Sequence, residues 1–202
     1  ELGGARDLRR CISALTADRS VAKHKGALAE YAAWIERAAP PDGSSFSDLD
    51  VFRPMAEHAG DPDVARAAGK IFAKGSPWLP TPTKLEYGRA ETLKLPLVIR
   101  PLRARVLEYL DEKAEVGTSV VREGGGLSME MTNGSSVGTS TLKDDPRLPA
   151  PNTKSPIRAC DYVAWEILHT NDALHVPFAV YWNVAQRDEA IAHLKAAIRA
   201  LP

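Results

Sequence analysis

Along residues 115–142 the spacing of apolar residues changes from 3.6 to 2, and no other feature narrows the possible folds as much. Leu127, Met129 and Met131 alternate with Ser128, Glu130 and Thr132. On a pleated strand successive side chains point to opposite faces, so the three apolar groups share one face. That is the pattern of an antiparallel strand buried on one side. Residues 116–122 precede it across Gly124-Gly125-Gly126, and Asn133-Gly134, a hairpin dipeptide, follows it. A two-residue loop would set Met129 opposite Gly138 and Met131 opposite Ser136. A three-residue loop over 133–135 sets Met131 opposite Val137 and Met129 opposite Thr139, which keeps one face apolar. The spacing therefore predicts a three-stranded antiparallel meander that needs helices to cover it. The glycine triplet is not a phosphate loop, because no Gly-Lys-Ser/Thr follows and the next element is a strand.

Helical spacing surrounds the meander. In 101–113, Leu102, Val106, Tyr109 and Leu110 form one apolar stripe. Residues 74–96 are a proline-rich connector, and 142–156 are a second one. The latter ends at Ser155-Pro156, an N-cap followed by proline, so a helix is expected over 156–169. Ile157, Cys160, Val163, Ala164, Ile167 and Leu168 make that helix apolar over more than half its girth, which predicts the most buried helix of this half. A last helix over 185–201 carries Ile191, Leu194, Ile198 and Leu201 on one side. Its acids Asp188 and Glu189 lie near the start and its bases Lys195 and Arg199 near the end, the favourable sense for the helix dipole.

The N-terminal part repeats itself. Residues 8–28 lie over 51–71 without a gap: Leu8 on Val51, Ile12 on Met55, Asp18 on Asp61, Val21 on Val64, Lys23 on Arg66, Gly26 on Gly69 and Leu28 on Ile71. Each unit reads as a helix, a short Asp-containing turn and a second helix. Asp61 suits an N-cap and Pro62 the first helical position, where its missing N–H has no partner to lose. Gly26 and Gly69 fall at one place in both units, which points to close helix–helix approach. A helix, a short Asp-containing turn, then a second helix opening on Val-x-Lys/Arg, at a period of 43 residues, resembles a HEAT repeat. The resemblance implies stacked helix pairs sharing an interior through Ile12, Leu28, Met55 and Ile71, with an extended surface suited to binding. About three such units are needed to bury a continuous core, so the rest of the chain or a neighbouring domain must cap them.

The expected fold class is thus α+β, mostly α: a HEAT-like helical hairpin pair over 1–75, then a meander packed on helices over 76–202, the two forming one unit. Charge and composition limit its role. The 202 residues carry 26 basic and 26 acidic side chains, which argues against generic nucleic-acid binding. No apolar run is long enough for a membrane-spanning helix, so a soluble chain, cytoplasmic by preference, is expected. The chain opens at Glu1 without Met, as a processed form or an excised piece of a larger protein would. Cys11 and Cys160 lie in apolar stripes and read as buried thiols.

Only residues 160–175 are dense in chemically capable side chains. Asp161 sits beside an apolar ridge of Ile157, Ala164 and Leu168. Such an acid is either hydrogen-bonded structure or a tuned catalytic group, and Arg147 or Arg158 is the expected partner. Cys160 as a nucleophile needs a histidine beside it, and His169 lies on another face. Glu166 and His169 have a metal-carboxylate spacing that His175 and Asp172 could complete. Two further glutamates and a second such motif are missing, and no cofactor is expected. The reading that follows is a non-catalytic interaction or assembly module whose partner is another protein or a neighbouring domain. Its rivals are a metal-assisted hydrolase using Asp161, Glu166, His169 and His175, and a ligand-binding domain with an apolar pocket near Met129, Met131 and Trp165.

Overall fold

The computed structural model describes residues 58, 60–71, 97, 100–124, 126–132, 134, 136–139, 145–171 and 173–202. They fall in two compact units, the described residues up to Arg105 in one and those from Val106 onward in the other.

In the first unit, helix α1 spans Pro62–Ile71. The Asp61 carbonyl accepts the first helical bond, from the Ala65 N–H at 2.9 Å, so Asp61 stands at the N-cap and Pro62 opens the helix. Val64 and Ala68 are buried, one turn apart on one face. Gly69 is exposed, and a Cβ there would meet nothing within 4 Å among the described residues, so the close helix approach expected at this glycine is not made by any of them. A 3-10 turn, Arg100–Leu102, leads into α2, Arg103–Tyr109, whose residues from Val106 belong to the second unit. The predicted stripe of Leu102, Val106, Tyr109 and Leu110 is buried throughout. The helix is shorter than the 101–113 expected. Its end tightens into two three-residue bonds, Asp111 N–H to Glu108 O and Glu112 N–H to Tyr109 O, before the chain extends.

The second unit holds a four-stranded antiparallel sheet of β1 (Glu115–Val121), β2 (Leu127–Met131), β3 (Ser136–Thr139) and β4 (Lys154–Arg158), in the order β3-β2-β1-β4. Helices α3 (Ala159–Thr170) and α4 (Val184–Ala200) follow and pack against each other. This corrects the expected fold in two ways. The described residues form a sheet with helices and not a HEAT-like repeat arrangement, and the sheet has four strands rather than three. The first repeat unit and the meeting of Ile12, Leu28, Met55 and Ile71 lie outside the described residues.

The missed strand is the one containing Pro156. The Ser155-Pro156 pair reads as a helix start, yet the helix begins at Ala159 with Arg158 as its N-cap. Proline cannot donate to a ladder, but an edge strand has a side where no donor is needed. β4 is such an edge, and Pro156 occupies one of its outward positions.

The β2–β3 register also differs. Met129 pairs with Val137 and Leu127 with Thr139. β2 ends at Met131 and β3 opens at Ser136, so residues 132–135 connect them and not the three-residue loop over 133–135 expected. Gly134 there has φ +85°, and its N–H donates to Met131 O at 3.0 Å. That is a turn closed by a left-handed residue, which glycine adopts without steric cost. The shift from the expected pairing is two residues, so every side chain keeps its face.

Met129, Met131, Leu127 and Val137 are buried on one face with Ser119, Val121 and Ile157. On the other face β1 still buries Val116 and Val120, while Glu130, Ser136 and Gly138 on β2 and β3 are exposed. A β-bulge interrupts the β1–β4 pairing between Glu115 and Gly117. Gly117 is required there. A Cβ at that position would stand 2.6 Å from the Glu130 carbonyl oxygen and 3.1 Å from Met131 Cα. Among the described residues no helix is long and apolar enough to cross a membrane.

Candidate functional site

Asp161 is fully buried at the third position of α3, where a carboxylate can reach back to the N-cap backbone. The Arg158 N–H donates to its Oδ2 at 3.0 Å. The Arg158 guanidinium then forks across both oxygens, Nε to Oδ2 at 2.9 Å and Nη2 to Oδ1 at 2.7 Å. Arg187 Nη1, arriving from α4, donates to Oδ2 at 2.5 Å, and the Cys160 thiol approaches Oδ1 at 3.9 Å. A carboxylate has about four lone-pair sites. Four nitrogen donors and a thiol therefore leave Asp161 no acceptor position for a substrate proton. Bidentate, charge-assisted geometry of this kind holds an acid in place and does not leave it free to act as a base.

The cluster extends outward. Arg158 Nη2 also reaches Asp188 Oδ1 at 2.9 Å, and Lys113 Nζ reaches the same oxygen at 2.7 Å. The Lys113 bond, then the Arg158 bond, hold the Asp188 carboxyl below its ordinary range. The Asp161 bond likewise lifts Arg158 above its usual value. For Arg187 burial dominates and lowers the pKa, with Asp161 opposing it. Burial first, and the Asp161 charge next, push the Cys160 thiol up. An activated cysteine needs the reverse shift.

The place of this cluster explains its work. Hydrogen bonds from Thr132 N–H to Val116 O and from Arg122 N–H to Gly126 O show that the even-numbered residues of β1 face β2. Odd-numbered Gly117, Ser119 and Val121 then face β4, where they pair with Ile157, Ser155 and the Thr153 carbonyl. The backbone groups of Pro156 therefore point away from the sheet. Pro156 has no N–H to offer there, and its carbonyl accepts from Arg187 Nη1 at 2.9 Å. The next N–H on that side, at Arg158, goes to Asp161. The buried ion pair thus caps the outer edge of β4 while tying α3 and α4 to it.

The other expected site residues are dispersed. Glu166 is buried and accepts from the Tyr162 hydroxyl at 2.7 Å. His169 is exposed, with its ring stacked on Trp165 at 5.2 Å between centroids, and Trp165 in turn lies 6.1 Å from Tyr162. His175 is exposed on the segment after α3. Asp172 lies outside the described residues. Among the described residues no three His, Cys, Asp or Glu side chains form a group that could hold a metal ion. Met129 and Met131 fill the buried sheet face.

Two features went unread in the sequence. Arg187 lies one turn before Ile191 on the stripe that continues through Leu194 and Ile198, so its spacing marks it as inward-facing. It is 1% exposed. The second feature is Asp145. Arg147, one of the two expected partners of Asp161, instead binds Asp145 through both its N–H and Nε, at 2.9 and 2.8 Å. The Tyr181 hydroxyl and the Trp182 indole N–H both donate to Asp145 Oδ2 at 2.9 Å, and the Arg147 guanidinium lies 3.6 Å over the Trp182 ring. The Arg147 bond leads in holding the Asp145 carboxyl well below the usual carboxylate range. Burial first, then the bond to Asp145, pushes Tyr181 up to about 12. This knot fastens the loop before β4 to the segment before α4, and the spacing of its members carries no local signal.

Comparison with protein-family models, with curated proteins and with solved structures finds no match for the chain.

Proposed function

We propose that the chain is a non-catalytic interaction or assembly module, whose partner is another protein or a neighbouring domain of a larger chain. One observation carries the reading: the outer edge of β3. Alternation along β2 turns the backbone groups of Val137 and Thr139 toward β2 and those of Ser136 and Gly138 outward. Both outward residues are exposed, and among the described residues nothing takes their N–H and C=O groups. A row of outward-facing backbone groups that no described residue takes is a template for an added strand, held by main-chain hydrogen bonds. The occupied lone pairs of Asp161 add support, since the acid most suited to catalysis by position is bound into the fold.

Gly138→Pro tests the reading. It removes an outward donor and leaves the β2-facing groups in place. The expected result is a protein with unchanged unfolding midpoint that no longer retains, in cross-linking followed by mass spectrometry, a partner held by the unaltered chain. Equal retention by both proteins would reject the edge as the association surface.

A further inference from the structure

We draw no further inference here: the strongest candidate, the outer edge of β3 at Ser136 and Gly138, belongs to the association surface already proposed, and nothing in the structure shows which strand covers it.

Discussion

β4 and β3 end the same sheet on opposite sides and are built from different material, Lys-Ser-Pro-Ile-Arg in one and Ser-Val-Gly-Thr in the other. On β4 the outward donor at Pro156 is absent, the outward carbonyl is held by Arg187, and the outward N–H of Arg158 is held by Asp161. On β3 the outward residues are small and exposed, and no described side chain reaches them. Proline and charge are the usual means of blunting an edge. Here one edge uses both and also serves as the anchor for two helices. The difference teaches that a buried ion pair need not mark a reactive site. Its first task can be to satisfy backbone groups that a strand would otherwise leave bare.

The strongest way to break the comparison is Arg187→Met. It leaves Asp161 with one of its two cationic partners and the Pro156 carbonyl without a donor, and costs about 3–5 kcal/mol of unfolding free energy in urea. The double variant Asp161→Leu with Arg187→Met should recover only part of that loss, because no unpaired buried charge remains while the Arg158 N–H and the Pro156 carbonyl both lose their partners. An Arg187→Met protein as stable as the original would show that the cluster does not hold the β4 edge.

Asp145→Ala comes next. It strands the Tyr181 hydroxyl and Trp182 indole N–H in one place, at a cost of about 1–3 kcal/mol. Loss of near-ultraviolet circular dichroism from Trp182, at protein concentrations where the fold persists, is the accompanying signature.

The same knot gives the stability a pH dependence. Tyr181 titrates near 12 when folded against about 10 when unfolded. Its contribution is complete below the unfolded value and disappears as pH rises through the folded one. The Asp145 contribution has the opposite sense. It is complete above an unfolded value near 4 and is lost as pH falls through the lower folded one. Urea midpoints measured from pH 9 to 12 should fall, and Tyr181→Phe should flatten that slope.

The smallest effects belong to the surface. Pro156→Ala costs about 0.5–1 kcal/mol, largely through a freer unfolded chain. Arg122→Ala breaks an exposed pair with Glu130 and shifts stability by less than about 0.5 kcal/mol. A Pro156→Ala protein that self-associates where the original does not would sharpen the contrast, since it restores one outward donor to β4.

Much of the second unit could be read in advance. The period-two run at Leu127–Met131, the helix over 185–201 and the heavily apolar helix near 157–169 all rest on local spacing, and all three elements form. The β2–β3 register lies two residues from the one that spacing predicts, a difference that face alternation tolerates and therefore cannot detect. β4 was hidden because Pro156 is a strong local stop. Only its position at a sheet edge, with its nitrogen turned outward, makes it compatible with a strand. Asp161 was legible as an acid on an apolar ridge, and Arg158, one of the two partners considered for it, proved correct. Arg187 was legible in spacing but not in role, for its partners Asp161 and Pro156 are 26 and 31 residues away.

By itself the amino-acid order determined that the described helices and the first three strands form, though not all their ends, because hydrophobic period, proline, glycine and capping residues act over a few positions. Tertiary structure alone decided that residues 154–158 become an edge strand, and that Asp161, Arg158 and Arg187 close it. A strand has no meaning until another strand lies beside it, and a buried charge is stable only where the folded chain brings its counter-charge.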